Sequence, residues 1–363
     1  MNQLLRPSGH HRWSMCTASA KAEQDYANTT NPAAELGTKL HADCAYILTE
    51  LLASRAVDLS QYDPLVITYV NTLFGQYRIH AADQTWIEHT VDLSEWLGFG
   101  AVGTPDFAAL FGTTLYIKDF KSGVGTEHFA QTSGQLRIYG LGIKKLVESY
   151  GLDVEKIVLV IIQPRLKSEP DEFVLSANEL TAFGENLKAL AEEAQKGGVY
   201  KPGDHCHYCK HAHKCKDLEN YVQEQIMGDA ALGEKYAAIG TIEAYVAAIV
   251  DAVNNSWASG TPVPGTRRVA GREGNRMWSS EDQEVIELAS EVLPKSELFT
   301  VKVVSPTQME EIAKKSKKLQ WFKETLSPHV TRSPAKPRIV LDTPANAKYV
   351  DYTGDTEGFA PIE

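Results

Sequence analysis

Asp119-Phe120-Lys121, with Asp106 upstream in Gly103-Thr104-Pro105-Asp106, puts two carboxylates and an ammonium group into one short stretch of chain. These are the groups that metal-assisted cleavage of a phosphodiester requires. Carboxylate oxygens suit a hard cation, and a lysine close by can orient the attacking water. Residues i and i+2 of a strand share a face, so Asp119 and Lys121 point together while Phe120 turns into the core. An Asp-x-Lys triplet also arises on ordinary solvated strands, so the elements around it must carry the argument.

Residues 107–110 and 115–117 are short apolar runs separated by Phe111-Gly112-Thr113-Thr114, which predicts a hairpin that returns the Asp119 end beside Asp106. Residues 34–54 predict an amphipathic helix, with Leu36, Leu40, Ile47 and Leu51 at helical spacing and His41 in its first half. Residues 84–91 predict a strand. Residues 127–148 predict a second helix, along which Gln131, Gln135 and Tyr139 form one stripe. Residues 157–162 are a continuous apolar run before Gln163-Pro164-Arg165, as in a strand buried on both faces. Ser176 and Glu179 have the spacing of a capping box opening a further helix that stops at Gly197-Gly198. This order of elements predicts an α/β fold, a mixed sheet with helices against it.

That order, with those residues on it, resembles the PD-(D/E)XK nuclease superfamily and, within it, the RecB-like exonuclease branch, over residues 1–216. The resemblance implies that His41, Asp106 and Asp119 ligate Mg2+ or Mn2+ and that Lys121 positions or activates water. It implies that Gln135 and Tyr139 contact the nucleic-acid strand near the scissile phosphate, and that the activity is a DNA exonuclease. On the residues alone other roles stay open. His41 reads equally as a hydrogen-bonded histidine on a half-buried helix face, and Tyr139 as core beside Leu136 and Ile143. Gln131 reads as surface. Glu88 could approach the metal site, an exposed strand glutamate being the more ordinary reading.

Five cysteines form a second constellation, three of them in Cys206-x2-Cys209-x5-Cys215. Residues 1–7 lack the apolar run of a secretory signal, so a cytoplasmic protein is expected, in which clustered cysteines bind metal more often than they form disulfides. Zinc would take the three thiolates and one of His205, His207, His211 or His213. An iron–sulfur cluster would take a fourth thiolate. Some RecB-like nucleases, CRISPR-associated ones among them, carry one cysteine before the nuclease core and three after it, together holding a [4Fe-4S] cluster. Cys16 with Cys206, Cys209 and Cys215 fits that layout, although Thr17 stands where many relatives have proline. Cys44 reads as a buried small apolar residue.

The 363 residues suggest two domains, and 43% hydrophobic residues suffice for a core. No apolar stretch approaches membrane-spanning length. A net charge of −11 argues against tight DNA binding by the bare protein and for modest, metal-assisted, salt-sensitive affinity. Beyond the nuclease-like part, residues 217–343 predict a mainly helical accessory region and residues 344–363 a disordered acidic tail. A helix is expected over residues 232–257. Arg267, Arg268, Arg272, Arg276 and Trp278 would form a hairpin able to contact a strand, and Ser280-x-x-Gln283 and Ser305-Pro306-Thr307-Gln308 would cap two helices. The whole length, including Leu5-x-Pro7-Ser8-x-x-x-Arg12-Trp13-x-x-Cys16, also resembles phage and prophage RecB-like nucleases. That resemblance implies phage DNA recombination or end processing in a bacterial host cell, beside a single-strand annealing protein. Two other function classes remain: an inactive DNA-binding scaffold with the nuclease fold, and a zinc-stabilised interaction module.

Overall fold

The computed structural model describes residues 4–26, 32–270, 276–280, 282–298, 303–332 and 338–341. Arg272 and the acidic tail lie outside the described residues. The chain divides into two units, residues 1–250 and 251–363. The first unit therefore continues past residue 216.

The first unit opens with two short helices, α1 (His10–Met15) and α2 (Ser19–Ala22), followed by α3 (Pro32–Leu52) and α4 (Pro64–Gly75). Asp63 caps α4 by accepting from the Leu65 N–H, with Pro64 at the first helical position. Next come β1 (Gln84–Ile87), β2 (Val91–Asp92), α5 (Ser94–Leu97), β3 (Val102–Gly103), β4 (Phe107–Phe111) and β5 (Thr114–Phe120). They are followed by α6 (Gly134–Ser149), β6 (Lys156–Ile162), β7 (Asp171–Ser176) and α7 (Ala177–Lys196). Five strands pair in the order β1-β4-β5-β6-β7. Only β5 and β6 run parallel, joined by the α6 crossover that parallel neighbours need, so the sheet is mixed.

Side-chain alternation along β5 serves two layers. Ile117 joins the core beneath α6 and α7, and Phe120 the core beneath α3 and α4. All six residues of 157–162 are buried, as their unbroken hydrophobicity predicts for a strand covered on both faces. The hairpin of β4 and β5 and the Ser176–Glu179 capping box form as expected.

Three expected elements differ. The strand predicted over 84–91 stops at Ile87, because Glu88 takes a left-handed conformation (φ 44°) and its N–H donates to the Asp106 carbonyl at 3.1 Å. The helix predicted from 127 begins at Gly134, where the Ser133 hydroxyl caps the Leu136 N–H. Gln131 thus lies outside it, in a 3-10 turn. The helix predicted over 232–257 is two, α9 (Leu232–Ala237) and α10 (Ile239–Ala258), after α8 (Lys216–Met227); the break falls at buried Ala238.

In the second unit, helices α11 (Asp282–Ser290), α12 (Lys295–Leu298), α13 (Pro306–Lys315) and α14 (Leu319–Trp321) gather around Ala289, Leu298, Met309, Phe322 and Leu326. The capping box at Ser305 and Gln308 is present, whereas the Ser280 hydroxyl pairs with His329 Nδ1 at 2.6 Å. The arginine-rich segments do not form a hairpin with each other. β8 (Thr266–Val269) pairs with β11 (Arg338–Leu341), and β9 (Arg276–Trp278) pairs with β10 (Val330–Arg332).

Candidate functional site

Register brings the acidic residues together. β4 starts one residue after Asp106, and Asp106 Oδ2 accepts the Phe120 N–H at 2.7 Å, so the two strand ends are tied across Asp106 and Asp119. Gly103 is needed upstream: a Cβ there would run into Leu93 and the Tyr139 ring. The Thr90 and Thr104 hydroxyls, 3.0 Å apart, join the segments leading to Glu88 and Asp106.

From α3, His41 Nδ1 lies 3.3 Å from Asp106 Oδ1, and the ring packs on Phe120. His41, Glu88 and Asp106 each bring a ligand atom within 4.8 Å of the others, in a pocket also lined by Gly37 and Thr38. Glu88 is thus the residue that pattern reading underweighted. Its signal is conformational, a non-glycine residue at positive φ, and strain of that kind concentrates at functional sites.

Asp119 is 3% exposed and sits deeper. Its Oδ2 lies 2.8 Å from Lys121 Nζ, an ion pair whose angle leaves that oxygen without a hydrogen bond of good geometry. Lys121 Nζ donates to Gln135 Oε1 at 3.4 Å, and Gln135 Nε2 donates to the Tyr139 hydroxyl at 3.2 Å. The stripe on α6 therefore reduces to Gln135 and Tyr139, and it reaches the site through Lys121. Tyr139 is also core, 7% exposed, so both of its sequence readings describe the same side chain.

Protonation follows from crowding. Burial raises the Asp119 carboxyl, with Asp106 adding to the shift and the Lys121 ammonium opposing it. Partial desolvation and the Asp106 charge push Glu88, an exposed residue, up to about 7. Burial lowers His41, but the Asp106 hydrogen bond and the three surrounding carboxylates raise it overall. Lys121 is likewise raised, its burial outweighed by Asp119. Three carboxylates therefore neighbour one ammonium and one imidazole, and their mutual repulsion favours holding a proton on Glu88 and Asp119. The converging donors, two carboxylates and one imidazole, fit a hard divalent cation, with Asp119 beside them already paired to Lys121.

The four sequence-predicted cysteines meet elsewhere. Cys16, Cys206, Cys209 and Cys215 line one pocket, together with Ser19, Tyr200, His205 and His211. Its two walls are far apart in sequence. Thr17 joins them: its hydroxyl donates to Glu193 Oε1 at 2.7 Å and accepts the Val199 N–H at 2.9 Å. A Cβ at Gly198, in left-handed conformation, would strike the Thr17 backbone. Burial pushes the thiols of Cys206 and Cys209 up to about 11 and about 12 and raises that of Cys215. Unliganded they are inert thiols; ligation to a metal would deprotonate them.

Among the described residues, no three Cys or His ligand atoms here lie within 4.8 Å of one another. Tetrahedral zinc, with Zn–S near 2.3 Å, needs thiolates about 3.8 Å apart. Of the histidines lining the pocket, His205 Nε2 pairs with the Lys201 carbonyl (2.8 Å) and His211 Nδ1 with the Tyr26 hydroxyl (3.2 Å), which leaves each its second ring nitrogen. Four thiols line the pocket without three of them crowding as a tetrahedral zinc would require, a layout that leaves an iron–sulfur cluster open. Cys44 lies apart, 4% exposed, in the core beneath α3 and α4.

Among the described residues no helix is long and apolar enough to cross a membrane. The crystal structure of SSO0001 is similar over 60% of this chain and 87% of that one, at 14% sequence identity and a TM-score of 0.31, a likeness too distant to carry an argument. The sequence itself matches over residues 3–347 the family described as "Protein of unknown function (DUF2800)", and the chain belongs to that family.

Proposed function

We propose that this protein is a divalent-metal-dependent deoxyribonuclease of PD-(D/E)XK type, acting as an exonuclease on DNA ends in phage DNA recombination or end processing. The observation that carries the reading is the convergence of His41, Glu88 and Asp106 beside the buried Asp119–Lys121 pair. In this reading Asp106, Asp119 and His41 hold Mg2+ or Mn2+, with Glu88 as an additional oxygen donor. The cation, when bound, supplies Lewis-acid polarisation of the phosphate and a more acidic water. Lys121 directs its ammonium at the attacking water, and Gln135, braced by Tyr139, fixes where that ammonium points. The four cysteines hold a [4Fe-4S] cluster that closes the domain and takes no part in hydrolysis, which moves no electron.

Anaerobically purified protein, given end-labelled linear and closed circular DNA with Mg2+, Mn2+ or EDTA, tests this. Cleavage of linear DNA that needs the cation and is lost in Asp119→Asn is expected. Cleavage at the parental rate by Asp119→Asn overturns the site. DNA binding without cleavage in any metal supports the inactive scaffold instead, with a single-strand annealing protein as the partner to assay.

A further inference from the structure

Ser19 is 2% exposed, and its hydroxyl has no hydrogen-bond partner. Buried hydroxyls are nearly always paired, so an orphan marks a missing acceptor. Ser19 is the first residue of α2, and the turn before it is closed by the Ser19 N–H donating to the Cys16 carbonyl at 2.9 Å. Two residues earlier, Thr17 faces the other way and is fully engaged with Glu193 and Val199. Ser19 instead lines the pocket of the four cysteines.

We propose that the Ser19 hydroxyl donates a hydrogen bond to a sulfur of the metal group held by Cys16, Cys206, Cys209 and Cys215, and thereby sets its reduction potential. The inference rests on the iron–sulfur reading of those cysteines. A second donor already faces the same wall: the Lys201 N–H lies 3.5 Å from Cys16 Sγ. Hydrogen bonds to cluster and thiolate sulfurs offset the extra negative charge of the reduced state, so each one raises the potential. Ser19 is a positioning and tuning residue here, not a ligand, since the thiols supply the ligand set. A free hydroxyl in this place has a hydrogen to give, and sulfur bearing negative charge is the acceptor that would complete it.

The test uses the full chain, purified anaerobically, as parent, Ser19→Ala and Ser19→Thr. Iron and sulfide content come first, followed by dye-mediated redox titration and by Fe–S stretching spectra in H2O and D2O. The expected result is equal iron in all three, a lower midpoint potential in Ser19→Ala, and recovery toward the parent in Ser19→Thr. Part of the parent's deuterium shift should vanish in Ser19→Ala. Should Ser19→Ala fail to fold, Ser19→Gly carries the same comparison. A parent that holds iron while both the potential and the deuterium shift are unmoved by the loss of the hydroxyl overturns the role of Ser19 alone. A parent that holds zinc and no iron overturns the cluster reading and this proposal together.

Discussion

The carboxylate site and the thiol pocket both bring together groups able to ligate a metal, by different means. At the carboxylate site Asp106, Asp119 and Lys121 come from one hairpin, and its backbone is held by strand register before any ligand is considered. His41 is added by a single helix, and Glu88 by the left-handed bend that ends β1. The thiol pocket joins Cys16 to Cys206, Cys209 and Cys215 across the whole intervening domain. It is held by a few long-range ties through Thr17, Gly198 and Lys201. The first site is preorganised by the fold. If the proposed cluster occupies the second, it helps to hold the fold together, so its loss should cost stability where loss of the proposed cation at the first costs rate.

The largest effect tests that division directly. Asp119→Asn keeps the shape of a buried carboxylate but removes the charge, and cleavage should fall by about a thousandfold or more, as for loss of a Lewis acid worth several kcal/mol. Thermal unfolding of the same variant should match or exceed the parent, because Asp119 is a crowded, buried acid. A large fall in Tm would place this site among the structural ones.

Cys206→Ser is the converse. A cross-link closing a loop of this length is worth roughly 5 kcal/mol, which for a domain this large is a fall in Tm of roughly 10–20 °C. An unchanged Tm with the metal lost would break the comparison.

Glu88→Gln should weaken Mn2+ binding about tenfold, measured by calorimetry, with the fold intact. Unaltered affinity would return Glu88 to the surface role that its sequence context suggests.

The smallest effect concerns the platform. Lys118, on the β5 face opposite Asp119, is fully buried without a hydrogen bond, its Nζ 2.9 Å from the Tyr77 ring centroid and 4.5 Å from that of Tyr116. Burial lowers its pKa well below the ordinary 10.5. Below about 10.5 the unfolded chain therefore binds the proton more readily, and stability is lost as pH falls toward the depressed folded value. Lys118→Met should stabilise by about 1–3 kcal/mol. Its advantage in urea titrations should shrink as pH rises from 8 toward 10.5. A widening advantage would mean that the aromatic cage holds a charged ammonium.

Much of the arrangement is legible in particular residues. Unbroken hydrophobicity identified the doubly covered strand at 157–162, two short apolar runs flanking Gly112 identified the hairpin, and Ser176 with Glu179 marked the start of α7. Asp106, Asp119 and Lys121 were visible because hairpin neighbours in space are neighbours in sequence. Glu88 was visible only as a strand glutamate that could approach the site; the left-handed bend that takes it out of strand alternation was not. Ser19 and Lys118 were invisible for a related reason: a serine and a lysine look like surface residues until burial removes their solvent.

The sequence by itself determined the ligand types, their order along the chain and the periods that make strands and helices, since these depend on neighbours a few residues apart. Only the tertiary structure decided which carboxylates share a pocket and which hydroxyl lacks a partner. It also decided that Cys16 lines the same cavity as Cys206. Desolvation and charge crowding arise between segments distant in sequence, and they exist only once the chain has closed on itself.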